Sequence, residues 1–338
     1  MNASPASALR NRGLGRSFRA LLLAALLVGL LILPRLVTPY KLLTFTSVLC
    51  LALMAQGWNF IGGYTGFAAF GNVAFFGIGA YTTGLLMLSR WRIPFFPALL
   101  AGALLAAAVA ALIGLPILRL KGHYFAIATL GVAEALREIA GAWDSLTEGA
   151  TGIDLPVRSD SAFFYYVALG LVALGLLTTQ RLEKSKLGYG WVAIREDQDA
   201  ARMLGIPTTL FKVAAYALSA VFAAFAGGIV AYQNIHVAPN DFFKIEYTLQ
   251  MIIACVIGGT GSVWGPVLGA AVYQLLSTYI WSHFLELHPT VLGAIIIFFV
   301  VFLPRGLVEL LRRLGAVARG GRFGSDVLLA NVRASRLE

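Results

Sequence analysis

The sequence predicts an all-α polytopic membrane protein of about ten transmembrane helices, eight at the fewest, and three observations carry that prediction. Apolar residues make up 59% of the 338 and charged residues 12%, against roughly 45–50% and about 25% in soluble domains. A mean hydropathy of +0.81 leaves too few charges to cover a soluble fold of this length. Apolar runs long enough to cross a bilayer recur from one end of the chain to the other. Finally, 26 Lys and Arg against 16 Asp and Glu give a net charge of +10, and the excess sits in tails and alternate short loops. A nucleic-acid binder would gather those charges on a face or in a basic motif, so membrane lipid, not nucleic acid, is the expected surrounding.

The first 19 residues are basic, with Arg10, Arg12, Arg16 and Arg19 ahead of an apolar run at 21–33. That order imitates a secretory signal, but no A-x-A cleavage site follows and Pro34 and Arg35 close the run, so an uncleaved first span at 20–37 is expected. A helix needs roughly 20 apolar residues to cross about 30 Å of hydrocarbon. Further candidates lie at 42–61, 67–89, 95–118, 123–141, 162–180, 210–233, 247–260, 265–284 and 289–305. The eighth, at 14 residues, suits a broken or re-entrant helix. With the N-terminus in the cytoplasm, 19 basic residues fall on inner segments and six on outer ones, with Arg137 inside a span. This is the positive-inside pattern, and with an even span count both termini are expected in the cytoplasm. Arg90 and Arg92 run against it.

The membrane-spanning apolar body therefore spans 20–305, followed by a basic cytoplasmic tail at 306–338 that turns polar from Gly320. Two hydrophilic islands interrupt it, an external one at 142–161 and a cytoplasmic one at 181–212. Neither is long enough to fold as a catalytic domain, so any nucleotide hydrolysis belongs to another chain. None of the six lysines follows a glycine, which removes the P-loop, and HExxH and GxSxG are absent too. Cys50 and Cys255 stand 205 residues apart inside apolar runs and read as buried hydrophobes. His283, Glu286 and His288 could be a zinc trio, but i, i+5 spacing sets the two rings on different helix faces and favours an interfacial cluster. No catalytic residue, metal site or cofactor is expected in this chain.

Three features carry functional signal. Glycine-rich stretches, GGYTGFAAFGNVAFFGIGAYTTG from Gly62 and GGTGSVWGPVLGA from Gly258, each stand at the cytoplasmic start of an outward span. Such density serves close helix packing or unwound backbone beside a pathway, and Asn72, within the first, is a candidate to line that pathway. The local likeness of Phe70-Gly71-Asn72-Val73 to Trp264-Gly265-Pro266-Val267 hints at two repeated halves. In the fifth span Glu134, Arg137 and Glu138 share one helical face at i, i+3 and i+4. A charge at bilayer centre costs on the order of 3 kcal/mol, so these residues either pair to hold the bundle or line a watery path, with Thr129 a further lining candidate. The cytoplasmic island contains IREDQDAARMLGIP, a helix-forming run closed by Gly205 with proline two residues on. It suits a short helix docking into a partner or lying on the membrane surface.

Asp199-Ala200-Ala201-x3-Gly205 resembles the EAA loop of ABC importer permeases, and GYGWVAIREDQDAARMLGI resembles the matching segment of branched-chain amino-acid permeases of the LivM type. Three further segments agree in order: GGYTGFAAFGNVAFFGIGAYTTGLL, RLKGHYFAIATLGVAEALREI and MIIACVIGGTGSVWGPVLGAAV, so that the likeness covers about residues 40–310. The resemblance implies the ABC importer permease fold, importing branched-chain or related amino acids. It implies pairing with a second related permease, two ATPase subunits that hold the ATP, and an extracytoplasmic solute-binding protein. It also puts Asp199, Ala200, Ala201 and Gly205 at the ATPase contact, with Arg195 and Glu196 beside them. Two departures stand out. Aspartate replaces the first glutamate of EAA, and Glu148 and Thr151 replace a glycine and an asparagine of the family's external T-G-G-A-N-G-I. The rival reading is a secondary transporter driven by protons through Glu134.

Overall fold

The computed structural model describes residues 28–88, 92–120, 122–283, 293, 297 and 306–317. The N-terminus at 1–19, nearly all of the tenth expected span at 289–305, Glu286 and His288 of the histidine trio, and the tail from Gly320 lie outside the described residues.

Residues 28–36 are helical. The chain continues through α1 (Pro39–Asn59), α2 (Val73–Leu88), α3 (Phe95–Ile117), α4 (His123–Ala142), α5 (Ser161–Glu183), α6 (Lys186–Glu196), α7 (Gln198–Met203), α8 (Thr208–Asn234), α9 (Ile245–Gly258), α10 (Gly265–His283) and α11 (Gly306–Val317). The only sheet among the described residues is a two-residue antiparallel pair, β1 (Ile153–Asp154) with β2 (His236–Val237). The protein is thus the all-α polytopic membrane protein that its composition demands. Among the described residues, four helices are long and apolar enough to cross a membrane: α1 with its continuation to Tyr64, α3, α5 and α8. α2 is equally apolar but has 16 residues.

Polar side chains set several helix starts. Asp160 accepts from Phe163 N at the head of α5, and Ser185 from Gly188 N at the head of α6. The bundle is built around α8, which packs against α1, α2 and α3. Small residues allow that approach: a Cβ on Gly227 would fall on the Phe76 carbonyl, and one on Gly79 on the backbone of Ala224.

Two expected boundaries differ. Hydropathy ran the third span from 67 to 89, yet α2 begins at Val73, because 66–72 is an apolar but non-helical stretch. Its backbone donors find partners outside a helix: Phe67 N bonds Ile61 O, and Phe70 N bonds Thr129 Oγ1. Preceding it, α1 ends in a wide turn at Phe60–Tyr64. The first twelve residues of the basic tail form a helix, α11.

Contacts sort the loops onto two ends of the bundle. At one end Arg195 reaches Gly63, Lys212 reaches Leu118, and Gly306 abuts Gly259. At the other, β1 pairs with β2, Gly84 faces Ile153 and Leu155, and Phe95 packs against Phe163 and Tyr232. The basic-residue count expects the first group of segments inside and the second outside.

Candidate functional site

The island at 181–212 folds as two helices where the sequence suggested one. Asp197 is extended, with φ −158° and ψ 113°, and its carboxylate accepts from Asp199 N at 2.8 Å and Ala200 N at 2.9 Å. It thereby ends α6 and caps α7 in one step. Gly205 then takes φ +81°, a left-handed stop that glycine adopts without strain. Of the residues assigned to an ATPase contact, Ala201 is buried, while Glu196, Asp199, Ala200 and Gly205 face outward. Beyond them, Met203 is 90% exposed and Leu204 81%. Motif reading passed over this apolar tip, because an amphipathic pattern does not show which apolar residues lack a neighbour.

Two cations tie this unit to the bundle. Arg195 closes α6 and donates from Nη1 to Gly63 O at 3.1 Å, with Nη2 on Glu196 at 3.2 Å. Arg195 thus stays at the surface, its side chain 38% exposed, while one nitrogen reaches the Gly63 carbonyl. Gly63 belongs to the wide turn after α1, and beside it Asn59 clasps the second glycine-rich stretch: its Nδ2 donates to Ser262 O at 3.0 Å and its Oδ1 accepts from Gly261 N at 2.8 Å. The second cation is Lys212, 1% exposed at the start of α8. Its ammonium donates to Leu118 O at 2.5 Å and Gln198 Oε1 at 3.3 Å, and lies 4.4 Å from the centre of the Phe67 ring. One side chain thus joins α7, the end of α3 and the non-helical 66–72 stretch. Trp191 adds a third tie, its indole donating to Phe211 O at 2.8 Å.

The pathway candidates separate into two groups. Asn72 and Thr129 are buried and anchor the entrance to α2. Asn72 Nδ2 donates to Ser219 Oγ at 2.5 Å and its Oδ1 has no partner. Thr129 Oγ1 accepts from Phe70 N at 3.1 Å and donates to Ala126 O at 2.8 Å. Glu134 lies on another face of α4, with its side chain 59% exposed. It accepts from Arg137, which also donates to Glu138 at 2.5 Å and to Asn240 Oδ1 at 2.7 Å. The pairing within α4 is the one its spacing predicted. The reach to Asn240 was not legible in the sequence, since the short turn Pro239–Phe242 comes back along α2, where Phe242 stacks on Phe76. At the same end, Lys244 donates to Asp241 at 2.8 Å, and that bond holds its ammonium above the ordinary lysine pKa.

The order of these elements is matched by a known family over residues 41–300, described as the branched-chain amino acid transport system permease component. The chain belongs to this family. This permease is 32% identical over 323 residues to the high-affinity branched-chain amino acid transport system permease protein LivM of Salmonella typhimurium. It is 32% identical over 324 residues to the LivM of Escherichia coli, and each match covers 86% of this chain and 75% of the relative. The permease is also 33% identical over 159 residues to the galactose/methyl galactoside import permease protein MglC of Escherichia coli, across 40% of this chain and 45% of that one. The resemblance carried by four ordered motifs is thus confirmed as family membership, and with it an integral membrane permease of the transport class.

Proposed function

We propose that this chain is the membrane-spanning subunit of an ATP-driven importer that carries branched-chain amino acids into the cytoplasm. It pairs with a second related permease, two ATPase subunits and an extracytoplasmic solute-binding protein, in the bacterial inner membrane with both termini inside. The chain itself does no bond chemistry and needs no cofactor, since ATP is bound and split on the partners.

The observation that carries this reading is the α6–α7 unit. It offers an apolar tip at Met203 and Leu204 to the outside, while Arg195 binds its root to the wide turn after α1, where Asn59 holds Gly261 and Ser262, and Lys212 binds it to Leu118 and to the Phe67 ring of the 66–72 stretch. A push on the tip moves the root, and the root holds the points where α2 and α10 begin. Closure of an ATPase dimer would in this way tilt the spans between inward-open and outward-open arrangements.

The test is a pull-down of the tagged chain in mild detergent, with bound proteins identified by mass spectrometry. Wild type should recover a P-loop ATPase and a second permease; Met203→Asp with Leu204→Asp should lose the ATPase and keep the permease. A chain recovered without any ATPase, with uptake that survives ATP depletion and collapses with a protonophore, overturns the reading in favour of proton coupling through Glu134.

A further inference from the structure

Between α3 and α5, at the end of the bundle that holds β1 and β2, lies an apolar cavity of about 630 Å³. That size falls within the roughly 300–1,000 Å³ of small-molecule sites. Phe96 and Leu99 form one wall, and Phe163, Val167 and Leu171 the other. Gly170 belongs to the α5 wall, and a Cβ there would meet nothing within 4 Å, so the space beside it is open. From Ala162 to Leu171 the α5 wall runs about 14 Å at ~1.5 Å per residue, half of the ~30 Å hydrocarbon thickness. The cavity therefore matches the depth of one leaflet.

Its outer rim is charged. Asp160 lines the cavity, and Arg158 lies 3.6 Å over the Phe163 ring, with Nη2 3.8 Å from Asp160 Oδ2. Both side chains stay partly open to solvent, at 39% and 56%, so neither is consumed by the other. A cation and an anion side by side above an apolar slot one leaflet deep complement a headgroup that itself carries one phosphate and one ammonium. A purely anionic headgroup would meet the Asp160 carboxylate as a like charge, which is destabilising.

We propose that this cavity binds one zwitterionic, amine-headed phospholipid, with an acyl chain along Gly170, its phosphate on Arg158 and its ammonium on Asp160. The site is separate from the α6–α7 unit and lies at the opposite end of the bundle.

The experiment is lipid quantification by mass spectrometry on the full-length chain, purified in mild detergent with whatever subunits accompany it. Wild type should retain amine-headed phospholipid enriched several-fold over its share of the host membrane. Gly170→Leu fills open space, should leave the thermal melt unchanged, and should abolish the retained lipid. Arg158→Gln with Asp160→Asn should keep an acyl lipid but lose the headgroup preference. Retained lipid that mirrors bulk composition, enrichment of an anionic lipid, or equal retention by Gly170→Leu overturns the proposal. So does an empty wild-type site, the result expected if residues 1–27 or a second permease cover the cavity.

Discussion

At the scale of single residues, Lys212 is the most constrained charge in the 181–212 island. Its ammonium has been taken out of water and given a carbonyl, an amide oxygen and an aromatic face in exchange. Lys212→Met keeps the volume but strands Leu118 O and Gln198 Oε1, so a destabilisation of about 1–3 kcal/mol is expected. A lowered melting temperature in detergent would register it; an unchanged one would show that water replaces the ammonium. The sequence presented Lys212 as one more inner-loop cation, because counting charges by side says nothing about depth. Asn72 and Thr129 were visible as polar residues in apolar runs, but which backbone groups they satisfy depends on α8 and on the 66–72 stretch, both remote in sequence. Glu134, by contrast, was readable with its partner, since i, i+3 spacing within one helix needs no tertiary knowledge.

At the scale of elements, the helices themselves follow from hydropathy, and their breaks do not. The run 194–207 reads as a single helix because Asp197 is acceptable both inside a first turn and as a cap, and only the backbone resolves which. The apolar stretch 66–72 reads as span because transfer scales score side chains and ignore where backbone donors go. Close packing makes a further distinction that composition hides, for glycines of equal apolarity differ in what surrounds them. Gly227 of α8 abuts the Phe76 carbonyl, whereas Gly131 of α4 faces open space. Gly227→Val should cost about 1–3 kcal/mol through overpacking. Gly131→Ala should raise stability by up to about 1 kcal/mol through helix propensity. Thermal melts of the two variants in the same detergent would separate them, and a ranking in the other order would refute the packing of α8 against α2.

At the scale of the molecule, the two glycine-rich stretches that looked alike in sequence meet in space. Gly63 and Gly261 face each other, with Asn59 and Arg195 between the two strands of chain. The hint of two repeated halves in the sequence thus corresponds to two helix–break–helix units, α1 with α2 and α9 with α10, joined at their breaks. The division of loops onto two ends gives a direct test of orientation. Both native cysteines are buried, so they supply little background to thiol labelling. Val157, 75% exposed at the β1 end, and Met203 at the opposite end can each be replaced by cysteine. A membrane-impermeant maleimide should label Val157→Cys in intact cells and Met203→Cys only after permeabilisation; the reverse pattern would invert the assigned orientation.

The bare tip of α7 has a consequence for how the chain is made. Two large apolar side chains held in water at the end of a rigid helix are a surface that a folded monomer rarely keeps, and they sit outside the bilayer that hides the rest of the protein's apolar surface. In the proposed assembly a copy synthesised in excess of its companions would exhibit this defect continuously to the chaperones and proteases that sort proteins by exposed hydrophobic residues. Surplus copies are then expected to be short-lived, with the abundance of this subunit following the supply of the subunit proposed to cover Met203 and Leu204.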